Sequence, residues 1–458
     1  MIGVLVTLIV IAAVVYAIVK KYYPPFVLLL AGIVMLVVAS AMGVLPVPVK
    51  SSTNFLGFDY VEAFRSILKG RLPGLGLNIM LIAGFSFYMD RIGASKSLVK
   101  LCVRPLSAIR SPYVLLALTY LMGQFIALFV NSAVGLGLLL MASVYPLLVA
   151  LGVSRLSAAA VIASTCCLDL GPSSSNAMRA ADLVGTDVVT YFVQSQVPVA
   201  LVVVTVVALG HFFIQRWFDQ RDQAQGKVIA EKVDAQNIDK AFEGVGPVHY
   251  AFLPMLPLVL LIGFSPMFDS PIKLSLQTGL LVSLLLTFFV DLLTRRNLKE
   301  CIQATSSIFD GMGKVFASTV SLICCAEVFA LGLNKLGGIS MLISSAASME
   351  SAGVAVMLAV MIGIMIVAAL LTGSGNAAFF AFSPLLPEAA ASVGISTAIL
   401  AVPVQLAAGI GRTMSPIAGV MIAVSGISGL SPFDIVRRTI PVMILGLIAN
   451  VVASVILL

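Results

Sequence analysis

The stretch Thr372-Gly373-Ser374-Gly375-Asn376 interrupts one long apolar run, and Gly411-Arg412-Thr413-Met414-Ser415-Pro416 interrupts the next, some 35 residues on. Irregular backbone at membrane depth is tolerated only where it is buried in protein or lines a cavity. An ionisable residue at that depth marks a functional site. The first half of the chain carries a counterpart, Asn131-Ser132-Ala133-Val134-Gly135 followed by Gly171-Pro172-Ser173-Ser174-Ser175-Asn176. Ser132 and Ser374, Gly152 and Gly394, and Ser173 and Ser415 are each 242 positions apart, and Gly152-Val153-Ser154 echoes Gly394-Ile395-Ser396. Three coincidences at one offset predict an internal repeat. Paired Gly/Pro-interrupted segments in two halves point to a transporter's binding site.

The composition sets the solvent. Apolar residues make up 60% of the 458 positions and charged residues 10%, and the mean hydropathy is +1.11. Soluble domains carry about 25% charged residues, so the chain reads as an all-α polytopic membrane protein. The net charge of +7 fits basic residues gathered in cytoplasmic loops rather than a nucleic-acid partner. The six cysteines, four of them in the adjacent pairs Cys166-Cys167 and Cys324-Cys325, lack the spacing of a zinc site or disulfide framework. With only His211 and His249 beside them, they read as small buried hydrophobes. No cofactor and no resident metal are expected. Neither a Walker A loop nor a catalytic triad is present, so the chain reads as neither an ATP-driven pump nor an enzyme.

Taken in order, residues 1–215 predict a first repeat: scaffold spans in 1–90, a basic amphipathic arm at 91–110, a hairpin at 112–151, a broken helix at 154–184 and a span at 188–213. Within 1–90, Phe58 to Leu72 reads as an interfacial segment and the third span as Leu75 to Tyr88. Residues 216–248 read as a solvated cytoplasmic linker. The second repeat, 249–458, has scaffold spans in 250–333, a hairpin at 354–393, a broken helix at 396–425 and a span at 435–458. The expectation is thus about ten transmembrane helices, two re-entrant hairpins and two discontinuous helices. With both termini periplasmic, 18 of the 27 Lys and Arg fall inside and 6 outside, which obeys the positive-inside rule and gives the halves opposite orientation. Counting each hairpin as two full spans leaves this parity unchanged; the polar tips and their match favour hairpins.

The candidate substrate-binding residues follow from the interruptions. Asn131, Ser132 and Gly135, with Thr372, Gly373, Ser374, Gly375 and Asn376, lie at the two hairpin tips. There free helix N-termini attract anions, although small residues also serve simple helix packing. Ser173, Ser174, Ser175 and Asn176 lie at the first break, and Arg412, Thr413 and Ser415 at the second. Arg412 has no acidic neighbour in sequence. Its planar cation suits a carboxylate gripped by two parallel hydrogen bonds, or else it bonds carbonyls freed by the break. Asp169 precedes the first break and is a candidate coupling residue for H+ or Na+, unless it pairs with Arg412 or Arg179 in space. A Na+ near the hairpin tips is compatible with the same residues. Arg179 and Asp182 read as a surface pair, and Glu327 as a polar contact between scaffold helices.

Thr372-Gly373-Ser374-Gly375-Asn376-Ala377, Gly411-Arg412-Thr413-Met414-Ser415-Pro416-Ile417 and Ser431-Pro432-Phe433-Asp434-Ile435-Val436-Arg437-Arg438-Thr439 resemble the anaerobic C4-dicarboxylate carriers of the DcuC group. So do Arg91-Ile92-Gly93-Ala94-Ser95, Arg110-Ser111-Pro112-Tyr113 and Gly152-Val153-Ser154-Arg155-Leu156-Ser157, which also resemble its DcuD-like branch. The resemblance spans the whole chain. It implies an ion-transporter-superfamily fold with inverted repeats, a homodimer and elevator-like motion in a bacterial inner membrane. It also implies fumarate, malate, succinate or aspartate as substrate, by exchange or with cations. The first break departs from the fumarate–succinate exchangers in carrying Asp169, which leaves open a zwitterionic substrate whose ammonium group that carboxylate meets. A cation/proton antiporter working through Asp169, and a channel, are the rival readings.

Overall fold

The computed structural model describes residues 2–20, 22–48, 51–103, 105–106, 109, 111–130, 132–226, 245–264, 271–272, 274–337 and 353–458. Among them there are helices and no strand. The first half runs α1 (Ile2–Val19), α2 (Pro24–Ala41), α3 (Leu56–Arg71), α4 (Leu77–Ile92), α5 (Ala94–Val103) and α6 (Pro112–Ala127). It continues with α7 (Ala133–Ser143), α8 (Tyr145–Ala150), α9 (Arg155–Ser164), α10 (Ser175–Val184), α11 (Val188–Thr190) and α12 (Val197–Ala224). The second half holds α13 (Leu256–Gly263), α14 (Leu276–Arg295), α15 (Leu298–Ala304), α16 (Ser306–Val315), α17 (Ser321–Lys335) and α18 (Gly353–Thr372). It closes with α19 (Gly375–Phe382), α20 (Leu386–Ser392), α21 (Thr397–Thr413), α22 (Gly419–Ser428) and α23 (Pro432–Leu457).

Seven helices among the described residues are long and apolar enough to cross a membrane, and their faces are sorted for that solvent. On α14, Leu281, Leu285, Phe289 and Leu293 form an exposed stripe, whereas Ser283, Thr287 and Asp291 are buried. Both sets recur every four residues, one helical face each. Hydrocarbon accepts the leucines; the polar face needs protein partners. Asp291 finds them in the Tyr250 hydroxyl at 2.6 Å and Arg295 at 2.7 Å. Where helices pack, small residues let backbones close up: a methyl on Gly32 of α2 would lie 2.6 Å from the Val328 backbone of α17.

Several boundaries differ from expectation. Phe58 to Leu72 is not separate from the third span. Leu56 to Ile92 is one helical run of 37 residues, α3 passing into α4 through a π-turn at Leu72–Gly76. Pro73 lacks the N–H that an α-turn needs, and the wider turn absorbs the defect. Leu298 to Lys335 is likewise a single run of 38 residues, with its π-turn at Phe316–Val320. The start of the expected linker is also helix. α12 continues to Ala224 because Asp219 and Asp222, one turn apart, both meet Arg438 of α23 at 2.5 Å. Residues 227–244 of that linker, much of the arm between Lys335 and Ser351, and Arg104 and Arg110 of the basic arm lie outside the described residues.

Elements recur at the sequence offset. Ser132 and Ser374 each cap a helix with the side-chain oxygen. Ser154 and Ser396 each precede a helix in extended conformation. Gly152 and Gly394 both take positive φ, +89° and +70°. Ser173 donates to the Leu128 carbonyl at 2.7 Å and Ser415 to the Leu370 carbonyl at 2.7 Å.

Candidate functional site

Two interruptions per half meet at one cavity. It encloses about 360 Å³ and is lined by Ser132, Ala133 and Val134, by Cys166, Asp169 and Leu170, by Ser173, Ser174 and Ser175, by Gly373, Ser374 and Asn376, and by Arg412, Gly419 and Val420. That volume is within the range of small-molecule sites. The lining comes from the starts of four helices: α7, α10, α19 and α22. Ser132, Ser174 and Ser374 cap the first three by accepting from the amides of Gly135, Ala177 and Ala377. Ala418, before α22, brings no side-chain cap. Each helix start carries roughly half a positive charge, and residues at all four starts line this one space.

The breaks are shaped by their residues. Between α9 and α10, Pro172 removes an amide, Gly171 has φ +92° and Asp169 has φ +47°. The helix stops at Ser164 and resumes at Ser175, so the break lies earlier than the sequence suggested. The second break lies later: α21 holds through Thr413, and Pro416 falls in the gap before Gly419. Gly373, at φ +66°, turns the chain from α18 into α19, and a side chain there would meet the Ile417 carbonyl at 2.8 Å.

Arg412 and Asp169 form the charged heart of the cavity. The guanidinium donates to the Cys166 carbonyl and lies 3.2 Å from the Asp169 carboxylate. Of its two sequence alternatives, Arg412 shows the bond to a freed carbonyl. Its Nε is buried without a partner, as is the Oδ1 of Asn176. Asn176 donates to Asp169 at 3.2 Å. Behind Asp169 stands a relay absent from the sequence reading: Gln405 donates to the Asp169 carbonyl at 3.0 Å, Gln196 to Gln405 at 2.6 Å, and the Gly171 amide to Gln196 at 3.1 Å. Two amides inside apolar helices were the signal available. Gly409 lets this packing close, because an added methyl would land on the Cys167 carbonyl.

The other expected residues divide. Asn131 lies outside the described residues. Ser132, Ser173, Ser174, Ser175, Gly373, Ser374, Asn376 and Arg412 come together at the cavity. Gly135 and Thr372 serve the tips indirectly, Thr372 by accepting from the Ser374 amide at 3.2 Å. Gly375 packs on the Ala408 carbonyl. Thr413 and Ser415 turn away, donating to Gly409 at 3.0 Å and Leu370 at 2.7 Å, so they brace the break. The surface reading of Arg179 is overturned: it is 1% exposed, because Glu327 of α17 joins Asp182 in pairing with it.

Long helices with outward apolar stripes, interrupted around a shared polar cavity, define a polytopic membrane protein of the transporter class. The family model for DcuC, the C4-dicarboxylate anaerobic carrier, matches residues 2–458, and the chain belongs to that family. It is 37% identical over 429 residues to the Vibrio cholerae protein named "Probable anaerobic C4-dicarboxylate transporter DcuC", covering 93% of this chain and 91% of that one. It is 36% identical over 425 residues to the "Anaerobic C4-dicarboxylate transporter DcuC" of Escherichia coli K12, covering 92% and 90%. Members of this family are transporters, not enzymes.

Proposed function

We propose that the protein is a secondary active transporter of C4-dicarboxylates (fumarate, succinate, malate or aspartate) in a bacterial inner membrane. The observation that carries this is the convergence of four helix starts and Arg412 on one cavity. A dicarboxylate places a charge at each end, and the cavity offers donors from both halves of the chain. One carboxylate takes Arg412, whose Nε has no other partner; the other meets the helix starts across the space. The names of the relatives support the same class of substrate.

The paired features 242 positions apart support an inverted repeat. In this reading two re-entrant hairpins and two broken helices form a unit that moves in elevator fashion against the spans opening each half, within a homodimer. Asp169 is the coupling residue. It shares Arg412 with the incoming carboxylate, and two anions crowded on one cation are relieved by a proton or sodium ion taken up together with the substrate. The 3.2 Å pairing of Asp169 with Arg412 also favours a second reading. There the substrate is an amino dicarboxylate whose ammonium group takes Asp169 as its carboxylate takes Arg412.

Uptake of labelled fumarate, succinate and aspartate into proteoliposomes, wild type against Arg412→Ala, tests the proposal. Saturable uptake of at least one substrate, lost in the folded variant, is expected. Uptake of none by the wild type refutes the dicarboxylate reading. Uptake of aspartate alone, made indifferent to the amino group by Asp169→Asn, selects the second reading.

A further inference from the structure

Away from the cavity, four charges close into a ring. Arg71 of α3 lies 2.7 Å from Glu327 of α17 and 3.0 Å from Asp182 of α10. Arg179 of α10 lies 2.9 Å from Glu327 and 2.8 Å from Asp182. Each carboxylate thus touches both guanidiniums, and the ring is neutral. It is partly shielded: the side chains of Arg179 and Glu327 are 2% and 12% exposed, those of Arg71 and Asp182 33% each. Two of its contacts stay within a unit, Arg179–Asp182 on one helix and Arg71–Glu327 between the neighbours α3 and α17. The other two cross from α10 to those long helices. Beside the ring the same boundary is open, with a cavity of about 760 Å³ lined by Gly74 and Asn78 on one side and Met178 and Asp182 on the other. At its other end α10 begins at Ser175, which with its cap Ser174 lines the binding cavity, and its Asn176 donates to Asp169.

We propose that Arg71, Arg179, Asp182 and Glu327 are positioning residues for transport: a clasp that docks α10, and with it one wall of the binding cavity, against α3 and α17 and opens when the unit moves. This rests on the two-unit reading given above. Charge contacts suit such a clasp because both anions and both cations keep an ion partner within their own unit when the crossing contacts part. Apolar packing across the open boundary would supply no such exchange.

Two charge swaps of equal composition and net charge separate the clasp from a merely structural role. Arg179→Glu with Glu327→Arg keeps both crossing contacts attractive and makes both within-unit contacts repulsive. Arg71→Glu with Glu327→Arg does the reverse. Spin labels on Thr186→Cys, just after α10, and Ser318→Cys, in the π-turn leading into α17, both exposed, report the separation of α10 from the run that holds α17. They are placed in the reconstituted full-length protein carrying Cys102→Ser, since the other five cysteines are buried. The first swap is expected to keep the docked distance as the major population. The second is expected to deplete it by about tenfold or more relative to the undocked one, roughly 1.4 kcal/mol. Should a swap be recovered unfolded, Arg71→Gln, at a side chain one third exposed, must deplete the docked distance several-fold. Two populations that the swaps shift equally, or in reverse order, overturn the clasp alone. A single wild-type distance, unmoved by fumarate or succinate while uptake proceeds, overturns the two-unit motion and the clasp with it.

Discussion

Replacing Arg412 by alanine strips the cavity of its cation and leaves Asp169 facing it alone. The two side chains are 12% and 15% exposed at a separation of 3.2 Å, so solvent screens them little. At an effective dielectric of about 20 their Coulomb attraction is about 5 kcal/mol, part of which offsets the desolvation of both groups. Removing one member of such a pair costs about 3–5 kcal/mol, mostly because the other stays behind unpaired. Arg412→Ala is therefore expected to lower the unfolding free energy by about 3 kcal/mol. Removing the stranded charge as well, in Arg412→Ala with Asp169→Asn, should recover about 2 kcal/mol of the sum of the single effects. Fumarate affinity behaves differently, because the ligand needs the guanidinium whatever Asp169 does. Single and double variant should both lose it by at least about 100-fold. Thermal unfolding in detergent and calorimetric titration with fumarate read the two quantities separately. Stability effects additive to within about 0.5 kcal/mol would show that the pair is not coupled, and fumarate binding retained by the single variant would remove the carboxylate from Arg412.

Gly373→Ala forces a methyl to within 2.8 Å of the Ile417 carbonyl at φ +66° and should cost about 1–2 kcal/mol from the left-handed backbone alone, with transport lost; thermal unfolding and uptake check both. Ser173→Ala and Ser415→Ala each remove one part-buried bond to a carbonyl, Leu128 or Leu370, and should destabilise by about 1 kcal/mol apiece; very unequal losses in chemical unfolding would count against equivalent roles in two repeats. Arg438→Ala abandons Asp219, which is 2% exposed, and should cost about 3–5 kcal/mol, seen as a lower yield of folded protein and a lower unfolding midpoint.

The parts of this molecule that were legible in the sequence are those where hydrocarbon makes a polar residue costly. The apolar runs announce the membrane, and the interruptions around Ser132, Ser173, Ser374 and Arg412 locate the cavity because nothing else tolerates them there. What sequence periodicity does not carry is which distant groups pair. Asp169 and Arg412 are 243 positions apart, and Arg71 and Glu327 are 256 apart. Arg179 looked like a surface residue because Asp182 is one turn away; the second partner that buries it, Glu327, comes from the other half of the chain. Phe58 to Leu72 hid its continuity with the next helix for a related reason. Its charges suggested the headgroup zone, but the helix continues, and Asp59 is 3% exposed with Ser52 and Thr53 bonded to it at 2.7 and 2.8 Å.

The two serine ties bear on how the cavity holds its shape. Ser173 and Ser415 each sit in a break, where backbone groups lack their own helix partners, and each bonds the carbonyl at the end of the helix 45 positions before it. Leu128 directly follows α6 and Leu370 belongs to the last turn of α18. A break therefore does not hang as a free loop; it is fastened to the helix that leads into the neighbouring tip. Ser132 and Ser374 then cap the helix leaving each tip. Tip and break in each half are thus joined by hydrogen bonds whose loss inside hydrocarbon would go uncompensated by water. Gln405 and Arg412 of α21 reach across to Asp169 and Cys166 in the other half. These connections run through the cavity wall itself and not around it. In the transport motion proposed above, these bonds favour both tips and both breaks travelling together, with the hinge in the segments outside them.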